Sequence, residues 1–189
     1  LGGAIGNNST GSHSLKYGKT DAYIEEVEAV LADGTVTRLG ETPLAEIRRD
    51  ADPEADAILP RVYAEVERIV DDEADEVEAR YPDLKRNVSG YNLGTLVEEA
   101  RAGDTVNLAR LLAGSEGTLA VVTEATVSLE PIPETKAVAL LTYDSLGDAM
   151  TDVAPILEHD PAAVEVLDDV LLDLARATAE FSDVVGMLP

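Results

Sequence analysis

The sequence contains no cysteine and no tryptophan, a single phenylalanine and two histidines. Without cysteine the chain can form no disulfide, thiol nucleophile, zinc-thiolate or iron-sulfur site of its own. His13 and His159 lie far apart and outside any H-E-x-x-H pattern, so no complete zinc site is expected. No G-x-S-x-G elbow is present, which leaves serine-hydrolase chemistry without a nucleophile. Basic residues are also scarce: 14 Lys and Arg stand against 38 Asp and Glu, for a net charge of -24 and a pI near 4.1. The longest basic clusters are the pairs Arg48-Arg49 and Lys85-Arg86. Nucleic-acid binding needs a dense basic footprint to displace counterions, so it is excluded as a function class. No apolar run reaches the roughly 20 residues needed to cross a bilayer, and the expected location is the cytoplasm or the periphery of the inner membrane face.

What is present is a folded chain with a charged coat. Hydrophobic residues make up 45% of the sequence, too many for a disordered polymer. The acidic residues run along the whole chain instead of forming a tail, and Arg outnumbers Lys ten to four. Dense surface carboxylate of this kind fits a protein adapted to high salt, where repulsion is screened within about 3 Å at 1 M. A length of 189 residues fits one domain and part of another. Leu1 is followed directly by the loop-forming pair Gly2-Gly3, and residues 184–189 carry neither cap nor polar tail, so both ends read as cuts in a longer chain.

Residues 1–18, rich in Gly, Asn and Ser, read as a loop. Val27, Ala29 and Leu31 alternate ahead of Asp33-Gly34, and a β-rich run follows from Thr35 to Leu39, which predicts a hairpin. Over residues 54–81 the apolar period shifts to three and four, predicting one long or two short amphipathic helices whose acidic remainder faces solvent. A further helical stretch is expected through Leu96, Val97, Leu108, Leu111 and Leu112, stopping at Gly114. Residues 118–129 alternate as a strand ended by Pro131 and Pro133. Beyond them the pattern predicts a strand at 138–143, a helix at 146–157, a strand at 163–167 and a helix at 168–179, a β-α-β arrangement that opens a second domain.

The stretch from Gly6 to Ser12 matches a phosphate-binding P-loop only to its second glycine, because Ser12 stands where that loop needs Lys. The dinucleotide pattern G-x-G-x-x-G is absent, so a Rossmann domain is unsupported. A loop remains in which small residues let backbone amides approach a flat or anionic ligand, and a plain structural turn explains the same residues equally well. The segment Gly114-Ser-Glu-Gly-Thr-Leu stands between a helix and a strand. There Glu116 is suited to a ribose hydroxyl and the main chain of residues 120–122 to the edge of an adenine, although such a turn is more often a simple helix stop. The acidic run Asp50, Asp52, Glu54, Asp56 fails as a calcium loop at Ala55 and Arg61, and no metal site is expected.

Four segments in order carry a resemblance: residues 2–18, Leu31-Ala-Asp-Gly, Arg86-Asn-Val-Ser-Gly-Tyr-Asn-Leu, and Leu112-Ala-Gly-Ser-Glu-Gly-Thr-Leu. Together they resemble the FAD-linked oxidase family of the vanillyl-alcohol oxidase type, in the branch of D-lactate dehydrogenase and the glycolate oxidase flavin subunit. The resemblance implies an α+β fold. Residues 1–133 would be the second part of an FAD-binding domain, a mixed or antiparallel sheet with helices and an acidic helical insert at 44–85. Residues 134–189, with Val164-Glu-Val-Leu-Asp-Asp, would begin an α+β ferredoxin-like cap domain.

By position, the resemblance implies that Gly2, Gly3, Gly6, Asn7, Asn8, Ser9 and Gly11 line the flavin and pyrophosphate of FAD, with Ser12 to Gly18 behind them. Gly114, Ser115, Glu116, Gly117, Thr118 and Val121 would hold the adenosine half. Catalytic residues are expected outside this chain. The implied reaction is oxidation of a D-2-hydroxy acid, D-lactate first, with glycolate and D-2-hydroxyglutarate as alternatives. The implied acceptor is a fused or separate iron-sulfur protein, a cytochrome or a quinone. A non-catalytic interaction domain that kept the fold is the rival reading, against which the glycines of both loops argue.

Overall fold

A computed structural model describes residues 1–82, 84–181 and 186. Residues 184–189, read above as a cut end, lie outside the described residues apart from Gly186. The chain divides into two compact units, one made of Leu1–Ser14 and Gly18–Ile132, the other of Leu15–Tyr17 and Pro133–Pro189.

The first unit is built on a four-stranded antiparallel sheet of order β3-β2-β1-β4, with β1 at Ile24–Val30, β2 at Val36–Pro43, β3 at Thr105–Asn107 and β4 at Val121–Val127. The predicted hairpin is β1 and β2, with Val30 opposite Val36 across the Asp33-Gly34 turn. Asp33 fixes that turn by accepting from the Thr35 amide at 2.9 Å, and its other oxygen accepts from the amide of Ile58 at 3.0 Å. Ile58 is the first residue of α4 (Ile58–Asp72), so a carboxylate 25 positions upstream caps a helix that has no side-chain cap of its own. These amide donors hold the Asp33 carboxyl below its ordinary range.

The sheet's inner face carries Ile24, Val27, Ala29 and Leu39 into a core closed by helices. These are α3 (Leu44–Asp50), α4, α6 (Leu93–Ala102) and α7 (Leu108–Leu111), which contribute Leu44, Ile47, Val66, Leu96, Leu108 and Ala109. Side chains alternate along a strand, so Ile24 and Val27 share a face only because a register shift between Ile24 and Glu26 absorbs one residue. The outer face is charged: Arg38 on β2 reaches Glu26 at 2.7 Å and Glu28 and Glu124 at 3.4 Å.

Several expectations are corrected. The first eighteen residues are not all loop: they hold the short helices α1 (Gly2–Gly6) and α2 (Ser14–Tyr17). The acidic stretch forms two helices, α4 and α5 (Ala74–Arg80), the second of the two forms anticipated, with α4 the longer. The helix expected to reach Gly114 breaks at Gly103, where an extended backbone lets residues 105–107 pair with Glu41–Pro43 as β3 and buries Val106. The alternation predicted along residues 118–129 is interrupted at Thr123: Ala29 faces Val122 while Glu28 faces Glu124, so one residue bulges out and the inward side changes parity.

In the second unit the two expected helices form, α8 at Leu146–Leu157 and α9 at Asp169–Ala177. Both start on side-chain caps, Ser145 accepting from the Asp148 amide and Asp168 from the Leu171 amide. The strands expected at 138–143 and 163–167 are absent, because a strand's backbone groups need a partner strand and none of the described residues in the unit supplies one.

Candidate cofactor site

Three loops of the first unit meet at one place. The Ile5 carbonyl accepts from the Gly114 amide at 3.0 Å, and the Gly6 carbonyl accepts from the Glu116 amide at 2.9 Å. The N-terminal segment and the turn after α7 are thus joined edge to edge. A Cβ on Gly114 would stand 3.2 Å from the Gly90 carbonyl and 3.5 Å from the Asn8 Cβ, and the residue has φ +83, so only glycine fits without displacement. The third loop, residues 86–92, also reaches the turn through Tyr91. The Thr118 hydroxyl donates to the Ser115 carbonyl at 2.6 Å, which leaves it to accept from the Tyr91 hydroxyl at 3.0 Å.

Of the residues expected to bind a cofactor, Gly6 and Asn8 are brought against Gly114 and Glu116. Asn8 is buried, with φ +47, and its side-chain oxygen accepts from the Asp21 amide at 2.9 Å. Gly2, Gly3 and Asn7 are exposed along α1 and its end, and Ser9 is half-buried, its carbonyl accepting from the Thr20 hydroxyl. Ser115 is buried beneath the turn, while Glu116, Gly117 and Thr118 are exposed on it. Glu116 has φ +51, a conformation a non-glycine residue holds only when its surroundings fix it.

Other expected residues are not drawn into this meeting point. Gly11 donates its amide to the Ser14 hydroxyl and Ser12 lies beside His13, with no hydrogen bond from either to the 114–118 turn among the described residues. Gly18 only closes the turn of α2 by donating to the Ser14 carbonyl. Val121 begins β4 opposite Val30, its side chain 64% exposed. β4 is an edge strand, so the main chain of residues 121–122 is paired to β1 on one side and open on the other.

The arrangement passes a simple test of fit for an extended nucleotide. At Gly2, Gly3, Gly11 and Gly117 an added Cβ would meet nothing within 4 Å, so the main chain there borders open space that a ligand can enter closely. Beside the joined loops lies an open groove of about 590 Å³, bordered by Asn8, Lys19, Tyr81, Asn87, Tyr91 and Arg101. The Tyr81 hydroxyl donates to the Tyr91 carbonyl at 2.8 Å, and burial pushes its phenol above the ordinary range.

Sequence reasoning missed the polar centre beneath these loops. Asp21 is buried, and its carboxylate accepts from Asn92 Nδ2 at 2.8 Å, from the Ala22 amide at 2.9 Å and from Lys19 Nζ at 3.2 Å. The only signal available was that Asn92 lies within one of the four family-like segments; nothing in the pattern around Asp21 marks it as interior.

Comparison with known proteins points to a family. Residues 1–40 match the model of an FAD binding domain, and residues 132–187 match that of the C-terminal domain of FAD linked oxidases. A D-2-hydroxyglutarate dehydrogenase from Pantoea ananatis is 33% identical over 179 residues, covering 93% of this chain and 17% of the relative. The glycolate oxidase subunit GlcD of Bacillus subtilis is 31% identical over 174 residues, 91% of this chain and 25% of that subunit. A D-lactate dehydrogenase from Archaeoglobus fulgidus is 27% identical over 177 residues, 93% of this chain and 27% of that enzyme. Both matched models are domains of FAD-linked oxidases, and the cofactor they indicate is FAD. The chain spans about a sixth to a quarter of the length of these relatives.

Proposed function

We propose that this chain supplies part of the FAD-holding surface of a dehydrogenase that oxidises a D-2-hydroxy acid. The observation that carries the reading is the pair of main-chain hydrogen bonds, Ile5 to Gly114 and Gly6 to Glu116, that makes two separated loops one surface. On this reading Gly2, Gly3, Gly6, Asn7, Asn8, Ser9 and Gly11 border the flavin and pyrophosphate, with Ser12 and Gly18 behind them. Gly114, Ser115, Glu116, Gly117, Thr118 and Val121 border the adenosine. Small residues at these places let amides approach closely, and the buried Asn8 holds the approach in shape. Bound FAD supplies the two-electron acceptor for the substrate's α-carbon hydrogen. This chain contributes binding and orientation; the acid-base groups belong to other parts of the whole protein. Electrons pass on to an iron-sulfur protein, a cytochrome or a quinone.

D-2-hydroxyglutarate is favoured over the D-lactate expected from the sequence alone. The relative named for it shares 33% identity, against 27% for the D-lactate dehydrogenase. The test is anaerobic mixing of the FAD-loaded whole protein, in molar salt, with D-2-hydroxyglutarate, D-lactate and glycolate in turn. Bleaching of flavin absorbance fastest with D-2-hydroxyglutarate is expected. Faster bleaching with D-lactate reverses the substrate order, and no bleaching with any of the three removes the dehydrogenase reading.

A further inference from the structure

We propose that Asp21 is a positioning residue that locks the three loops of the site into one surface, a role that rests on the FAD-binding reading above. Every loop is tied to it. Its amide donates to the side-chain oxygen of Asn8, fixing the N-terminal segment at the residue with φ +47. Its carboxylate takes one hydrogen of the Asn92 amide, and the other goes to the Arg110 carbonyl at 3.1 Å, at the end of the helix that leads into Gly114. Lys19, paired with the same carboxylate, donates to the Asn87 carbonyl at 3.3 Å in the third loop. Thr95 completes the set by donating to Asn92 Oδ1 at 2.9 Å, which orients the amide so that its NH2 group faces Asp21.

A buried carboxylate needs donors on both oxygens: Ala22 and Lys19 of its own segment and Asn92 of the third loop supply them, while the Asp21 backbone amide holds Asn8 of the N-terminal segment. Asp21 itself lies beneath that surface and carries no part of the proposed ligand contact. Among the described residues no other buried polar residue of this unit has this reach. Asn107 ties β3 to the carbonyls of Ile24 and Glu25 and caps α7, a role internal to the sheet.

The experiment compares Asp21→Asn, Asn92→Ala and, as a control for simple loss of stability, Asn107→Ala in the whole protein. Amide hydrogen exchange of the FAD-free protein is followed together with FAD affinity and the visible circular dichroism of bound flavin. Asp21→Asn keeps the backbone bond to Asn8 but loses the carboxylate's hold on Asn92 and Lys19, so it should speed exchange at residues 86–92 and 114–118 and weaken FAD binding by about tenfold or more, the size expected when a buried charge-assisted contact is lost. Asn92→Ala keeps the Lys19 pair and should do the same more weakly, so it decides the matter if Asp21→Asn does not fold. Asn107→Ala should lower the melting temperature without selectively freeing those loops. Faster exchange confined to residues 19–23 and 92–95, with FAD affinity within about twofold of the wild type, overturns the proposal. Failure of the wild-type protein to bind FAD overturns the binding reading instead, and the exchange measurement still decides whether Asp21 couples the loops.

Discussion

Residues 5–113 and residues 133–181 make opposite use of similar material. The first stretch contains every buried hydrophobic residue of the described chain, including Ile24, Ala29, Ile47 and Ala109 at 0% exposure. The second has capped helices with apolar stripes, yet buries none of its described side chains: Val138 is 98% exposed, Val170 71% and Leu174 64%. The difference separates two kinds of instruction. A helix satisfies its own backbone, so Ser145, Asp168 and a 3.6-residue period suffice to form α8 and α9. A core needs a second surface, and a strand needs a second strand. Residues 24–30 find theirs across the Asp33-Gly34 turn, while residues 138–143 and 163–167 have no described partner in their unit.

The sharpest way to break this comparison is a pair of truncations. Ile47→Ala removes a side chain at 0% exposure from the core and should lower unfolding free energy by about 3 kcal/mol. Leu174→Ala on α9 removes a side chain 64% exposed and should change it by less than about 0.5 kcal/mol. Urea titration of both variants measures the gap, and equal losses would mean that the second region buries its stripes in solution. The next effect is that of salt. With a net charge of -24, the urea midpoint of the first region should rise steadily from 0.1 to about 3 M KCl as repulsion is screened, and a flat response would rule out the high-salt reading of the composition. The smallest effect is local and pH-dependent. Because the Asp33 carboxyl is held below its ordinary range, its contribution is fully present above the pKa of an unfolded aspartate, about 4, and is lost as acid titrates the folded group. Asp33→Asn should therefore lower the melting temperature slightly at pH 7 and make no difference near pH 2, as differential scanning calorimetry would reveal.

Much of the first unit was legible because its signals are local. Asp33-Gly34 between alternating runs predicted β1 and β2, and the period of Ile58, Val62, Val66 and Ile69 predicted α4. What escaped depends on contacts distant in sequence. Gly103 looked like an ordinary helix position until residues 105–107 were seen to be claimed by β2. The bulge at Thr123 has no signature in a run of alternating residues, because it is set by the register against β1. At the site, glycine and asparagine marked the two turns. The residue they converge on, Asp21, is a buried carboxylate that composition alone assigns to the surface. Its donor Asn92 stands 71 positions away, a separation no short motif encodes.

Among the described residues β4 has a neighbouring strand on only one side, and this leaves that rim of the sheet as an open berth. A row of unanswered amides and carbonyls invites whatever can lie flat along it, a ligand's polar edge or the same strand of another molecule. Mutual repulsion between heavily acidic copies guards against the second kind of guest, and that guard thins as the brine thickens. A protein so charged is thus best guarded from self-association in a dilute medium, and in strong salt the rim depends on what occupies it.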